Sequence, residues 1–176
     1  MSGRDPEADL LDEAGLGAEP VAPRTGLRAA VLDTIASGTR LRGFTERLAR
    51  MFDLGGERAG ELIREASGPA EAGWVTVPVL AGVRLFHFPG GPRVAAADCG
   101  LVRLEPGARF PRHRHAGDEW SFVLAGEAEE EETGVRWIPG DLVHRTVGTA
   151  HAYRVVSREP LVFAVVLHGG LHLEGD

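Results

Sequence analysis

Two histidines and a glutamate stand close together in the run His113-Arg114-His115-Ala116-Gly117-Asp118-Glu119. Side chains two residues apart leave the same face of a strand, so His113 and His115 can direct one ring nitrogen each at a shared point. A short bend containing Gly117 then brings in the carboxylate of Glu119, and His151 is a further histidine that can complete the set. Imidazole and carboxylate groups are ligands for borderline divalent cations. The sequence therefore predicts one divalent metal ion bound by His113, His115, Glu119 and His151.

The residue types leave several metals open. Imidazole nitrogens with one carboxylate oxygen suit zinc, iron, manganese and nickel, and zinc is the ion we expect. The alternative is that these side chains bind no metal, since histidines two residues apart also occur on exposed strands. Outside the set, we expect His144 at a solvent-facing strand position, the alternative being a contact with a metal ligand. No second carboxylate or activated nucleophile is identifiable, so any catalysis would depend on the metal.

The composition is that of a globular protein without a nucleic-acid surface. The chain has 176 residues and a net charge of -7, and its 19 basic residues are all arginine. An acidic chain lacks the basic face that replaces phosphate counterions, so we expect no nucleic-acid partner. A single cysteine, Cys99, excludes an internal disulfide, and we expect its side chain to be buried. The N-terminus lacks the apolar core of a signal peptide and no stretch is apolar enough to span a membrane, which predicts a cytoplasmic protein with no membrane contact.

The hydrophobic pattern divides the chain into three parts. Residues 1–24 are acidic, with scattered apolar residues, and are expected to be disordered. Residues 25–68 show helical spacing, which predicts helices near 27–37 and 41–54 and a third that ends at Ser67-Gly68. Residues 74–176 consist of short strand-like runs separated by Gly and Pro turns, with the acidic run 129–132 expected at a solvated hairpin tip. Many short strands without intervening helices predict a mainly β fold, an antiparallel jelly-roll barrel with a short N-terminal helical segment.

The spacing of the predicted ligands resembles that of the cupin family. From Gly107 through His113, His115 and Glu119 to Gly126 the chain matches the first cupin motif, and from Gly140 to His151 it is similar to the second, with Thr146 where cupins carry proline. The resemblance implies a jelly-roll barrel (double-stranded β-helix) with the metal in its mouth, held by His113, His115, Glu119 and His151. It also implies a small-molecule ligand in the barrel and a homodimer.

Two segments narrow the resemblance to the cupin domain of ChrR-type anti-sigma factors. They are Gly107 to His115 and Val123 to Glu127, and the helical region before the barrel is similar to the connecting region of such proteins. In ChrR-type proteins this domain is sensory, which implies a regulatory protein that responds to an oxidant or small ligand and has a sigma factor or other regulatory protein as partner. Residues 1–86 contain no His or Cys, so the chain resembles the sensory part of those proteins without their zinc-binding anti-sigma domain. The alternatives are a non-haem iron dioxygenase or related oxidoreductase, and a cupin with purely structural zinc.

Overall fold

Two antiparallel β-sheets make up most of the computed structural model, which describes residues 43–68 and 73–174. The strands in chain order are β1 (Val75–Thr76), β2 (Val83–His87), β3 (Asp98–Leu104), β4 (Arg109–His115), β5 (Glu119–Ala125), β6 (Ala128–Glu130), β7 (Arg136–Trp137), β8 (Leu142–Arg145), β9 (Ala150–Val155), β10 (Leu161–Leu167) and β11 (Leu171–Leu173). One sheet has six strands in the order β1-β2-β3-β10-β5-β8, and the other has five in the order β11-β4-β9-β6-β7. Strands distant in the chain are neighbours in each sheet, which confirms the predicted antiparallel jelly roll.

The six-stranded sheet is apolar on both faces. In its central strand β10, Phe163 faces the interior between the two sheets, whereas Val162, Ala164 and Val166 belong to a second core on the outer face. A strand covered on both faces reads as a continuous apolar run rather than an alternating one, and β10 has the sequence LVFAVVL. It pairs with β3 on one side and with β5 on the other, so it links the two cores along its whole length.

Two helices cover the outer face of the six-stranded sheet. In the described chain, α1 comprises residues 43–52 and α2 comprises Gly56–Ser67. The rings of Phe52 and Phe88 meet edge to face with centroids 4.8 Å apart, and further apolar side chains of both helices are buried in the same core. The apolar stripe of each helix is therefore used against the sheet. These are the second and third predicted helices, whereas the predicted helix near 27–37 and the segment 1–24 lie outside the described residues.

No helix in the described ranges has both the length and the apolar character needed to cross a membrane.

A β-bulge in β4 sets the direction of the site's side chains. Phe110 pairs with Tyr153 and His113 pairs with His151, so β4 advances by three residues while β9 advances by two. The extra residue lies next to Pro111, and proline is tolerated at a bulge because no ladder hydrogen bond is needed from it there. As a result Phe110 and His113 are both buried, although simple alternation would place them on opposite faces.

Candidate metal centre

Three histidines converge inside the barrel from two adjacent strands. β4 carries His113 and His115, and β9 carries His151 directly opposite His113. The ring centroids of His113 and His151 are 4.5 Å apart, and the ring of His115 lies 5.0 Å from the first and 5.2 Å from the second. One ligand nitrogen from each ring lies within 4.8 Å of the others, and all three side chains are buried. The group could hold one metal ion.

The polar atoms of this cluster fit a metal ion. Both ring nitrogens of His115 and Nε2 of His151 are buried and have no hydrogen-bond partner in the described part of the chain. A buried polar atom without a partner costs about 1–3 kcal/mol, so these nitrogens favour a bound ligand. The Nδ1–H of His113 donates to the carbonyl oxygen of Pro111 at 2.9 Å, which leaves Nε2 of that ring with a free lone pair. Converging imidazole nitrogens of this kind are the donors of zinc and iron sites.

Electrostatics keeps the three imidazoles in the neutral form that binds metal. Burial lowers the pKa of His115 to about 4, and the neighbouring charges of His113 and Arg145 act in the same direction. Burial also lowers the pKa of His151 to about 2, again with His113 and Arg145 contributing. The pKa of His113 is lowered, chiefly by burial. Because metal binding needs unprotonated imidazole, the cluster is ready to bind an ion near neutral pH.

Glu119 lies beside the histidine cluster at the start of β5. One carboxylate oxygen, Oε2, is 3.4 Å from Nδ1 of His115, and the Ser121 hydroxyl donates to the other oxygen at 2.7 Å. Burial raises the pKa of the Glu119 carboxyl, and the hydrogen bond from Ser121 opposes that shift. The group of converging ligand atoms contains only the histidines among the described residues, so the carboxylate stands next to it and not within it. The four-ligand set stays a prediction.

Glu130 is a site residue that the sequence analysis missed. The expected solvated tip at residues 129–132 is wrong for this position, because β6 extends to Glu130 and its side chain is 5% exposed. Its Oε1 accepts a hydrogen bond from Nδ1 of His151 at 3.1 Å, and Arg145 forms an ion pair with the same oxygen. The physical reason is strand alternation: Ala128 and Glu130 face inward, while the carboxylate between them binds two arginines on the outer surface. In the sequence, alternation from the apolar Ala128 would have predicted that Glu130 faces inward.

Two other predicted positions are confirmed. His144 is exposed, and its ring stacks on Trp120 with centroids 3.8 Å apart, away from the histidine cluster. Cys99 is buried and free. Burial raises the pKa of its thiol, so this side chain has the character of a small apolar residue.

An apolar cavity of about 170 Å³ lies beside the cluster. His113 and Glu119 form part of its wall together with Tyr153, a buried residue whose pKa burial raises well above the usual value. Exposed His87 and Asp98 also line it. The remaining wall is apolar and comes mainly from β2, β3 and β10, with Val83, Leu85, Leu101, Val102, Phe163 and Val165 among its residues.

Part of the chain matches a known protein family. Residues 100–167, which contain all three clustered histidines, match the family model of the cupin domain, Cupin_2. The dimethylsulfoniopropionate lyase DddQ of Ruegeria pomeroyi is 37% identical over 86 residues, which are 47% of this chain and 42% of that protein. The match thus spans less than half the length of this relative.

Solved structures show the same fold at low sequence identity. An RmlC-like cupin protein of Ralstonia eutropha superposes with a TM-score of 0.52 at 23% identity, covering 58% of this chain and 67% of that one. The acetylacetone dioxygenase of Acinetobacter johnsonii gives a TM-score of 0.51 at 18% identity, covering 60% and 74%. These likenesses bear on the fold alone, and the resemblance to ChrR-type proteins stays a prediction.

Proposed function

We propose that this protein binds one divalent metal ion at His113, His115 and His151 and takes a small organic molecule into the cavity beside it. The observation that carries the proposal is a shared wall, because His113 belongs to the histidine cluster and also lines the cavity. A metal held only for stability needs no such space. The cavity therefore favours a ligand-binding centre over structural zinc.

The wall of the cavity limits the class of ligand. Its volume of about 170 Å³ is below the roughly 300–1,000 Å³ of drug-sized pockets, so the ligand is small. Most of the lining is apolar, whereas His113, Glu119 and Tyr153 are polar beside the cluster, and the exposed His87 and Asp98 are polar too. This pattern fits a compact apolar body with one oxygen-bearing end at the metal. A bound divalent metal supplies Lewis acidity there and orients a donor oxygen.

A sensory output is our first candidate for the use of that ligand. β10 carries Phe163 and Val165 on the cavity wall and Val162, Ala164 and Val166 in the core under the helices. A ligand or oxidant that shifts the cavity-lining side chains of β10 therefore also shifts the side chains of the same strand that pack under the helices. This supports the ChrR-like hypothesis, in which the binding of a sigma factor or other regulatory protein depends on that change. In a pull-down, untreated protein should retain that partner, and protein treated with oxidant or ligand should lose it.

Catalysis is the second candidate. It is favoured by the similarity to a lyase over 86 residues and by the carboxylate of Glu119, which stands on the cavity wall 3.4 Å from His115. A group in that place can accept a proton from a ligand held at the metal. Lyase and dioxygenase chemistry differ in their need for oxygen, so turnover with and without dioxygen separates them.

The test measures binding and turnover on the same samples. Protein loaded with zinc, iron, manganese or nickel, and protein treated with chelator, is titrated calorimetrically with small carboxylates, diketones, thiols and dimethylsulfoniopropionate. Binding that needs the metal and is lost in Val102→Phe, which fills the cavity, supports the proposal. The matched control Leu142→Phe lies at an exposed position and should bind normally. Equal binding by metal-free protein, or by Val102→Phe, would contradict the proposal.

A further inference from the structure

The buried carboxylate of Glu130 is hydrogen-bonded to His151, one of the three clustered histidines. We propose that Glu130 is a positioning residue, whose carboxylate fixes the tautomer and the orientation of His151 so that Nε2 points into the cluster. The inference rests on the proposed metal centre and assigns a role to the hairpin between β6 and β7.

The contacts of Glu130 use both of its oxygens. Oε1 accepts from Nδ1 of His151 at 3.1 Å and pairs with Arg145, while Oε2 accepts from the Thr133 hydroxyl at 2.8 Å. An ionised carboxylate can only accept hydrogen bonds. The proton of neutral His151 must then lie on Nδ1, and the lone pair of Nε2 is left for a metal. Nε2 is the nitrogen of this ring that is buried without a partner in the described residues.

The turn after β6 holds the carboxylate in place. The backbone N–H of Glu130 donates to the carbonyl oxygen of Val135 at 2.9 Å, and the N–H of Gly134 donates back to the carbonyl oxygen of Glu130 at 2.9 Å. Gly134 has a φ of 68°, a left-handed conformation that glycine adopts without strain. These bonds close the turn around Thr133, so the hydroxyl and the carboxylate are brought together by local structure.

The charge of Glu130 is balanced at the site itself. A buried carboxylate without a partner would be strongly destabilising, and Arg145 supplies the opposite charge. The guanidinium of Arg145 also lies over the ring of Trp137, 5.9 Å from its centroid. Arg145 therefore offsets the charge of the carboxylate beside His151 in the interior. An amide in its place would be able to donate as well as accept, and would no longer select one tautomer.

The first test is the zinc affinity of Glu130→Gln, measured by competition with a chromophoric chelator. Partners that orient a metal ligand are typically worth about 10-fold to 100-fold in affinity, and a loss of that size is expected. Glu129→Gln is the matched control, because this neighbouring carboxylate is also paired with arginines but faces outward. Its affinity should equal that of the wild type. Unchanged affinity in Glu130→Gln would overturn the proposal.

The second test reads the tautomer directly in metal-free protein. Nitrogen-detected NMR of the imidazole rings, with His151 assigned by comparison with His151→Asn, should show the Nδ1–H form in the wild type and its loss in Glu130→Gln. An unchanged tautomer would refute the role of Glu130 even if affinity falls. If Glu130→Gln does not fold, Thr133→Val decides, since it removes only the hydroxyl donor and should lower zinc affinity to a smaller extent, whereas wild-type affinity would refute the proposal. Wild-type protein that binds none of zinc, iron, manganese and nickel would end the proposed function, while the tautomer would still test this inference.

Discussion

Replacing His115 by leucine is expected to change the stability in opposite directions with and without metal. Both ring nitrogens of His115 are buried and have no hydrogen-bond partner among the described residues. Leucine is similar in size and has no polar atom. In chelator-treated protein the substitution removes an unsatisfied donor and an unsatisfied acceptor, which is worth about 1–3 kcal/mol in favour of the variant. For a chain of this size each kcal/mol raises Tm by about 2–4 °C.

With zinc present the sign reverses. A ligand at 1,000 times its Kd stabilises the folded state by about 4 kcal/mol, and a variant that has lost one of three clustered imidazoles loses most of that gain. The assay is differential scanning calorimetry of both proteins in EDTA and in excess zinc. The variant should melt above the wild type in EDTA and below it in zinc.

The exposed histidine provides the control. His144→Leu removes a ring that stacks on Trp120 outside the cluster, so its small effect should be the same in EDTA and in zinc. Two results would refute the reasoning. One is a His115→Leu variant that melts lower than the wild type by the same amount in both buffers, which would make His115 a structural residue. The other is a larger loss of zinc affinity in His144→Leu than in His115→Leu.

Three further predictions concern the fold. Metal-free protein should lose stability as the pH falls below about 6.5, because His115 and His151, with pKa values of about 4 and about 2 when folded, take up protons only on unfolding. In urea unfolding, the free energy of unfolding should fall by up to about 1.4 kcal/mol per pH unit for each of the two histidines. Phe52→Ala removes a fully buried ring between α1 and the sheet and should cost about 3–5 kcal/mol in the same assay. Gly126→Ala should destabilise more than Gly107→Ala, although both glycines have positive φ, of 70° and 76°. A Cβ at Gly126 would lie 2.4 Å from a backbone oxygen, whereas one at Gly107 would have no described atom within 4 Å.

The local pattern of the sequence was sufficient for most of the architecture. The strands could be predicted because Gly and Pro turns separate short apolar runs, and α1 because Phe44, Leu48 and Phe52 recur at helical spacing and are all buried. The convergence of His113 and His115 follows from the two-residue period of a strand. These features depend on residues that are close together in the chain.

The features that the sequence did not reveal depend on pairing between distant strands. Glu130 faces His151 only because β6 lies next to β9. Its neighbours in the chain are also acidic, so the sequence indicated a solvated loop at this position. The bulge at Pro111 shifts the register of β4 against β9, which no local pattern reports.

The cross-strand pair of His113 and His151 has a consequence for how the chain reaches its native state. A slip of one residue between β4 and β9 would turn one set of imidazoles outward and separate the nitrogens that share an ion. An ion bound between the two strands would therefore stabilise only the native register. A bound ion would thus select the native strand register of the five-stranded sheet as the protein folds.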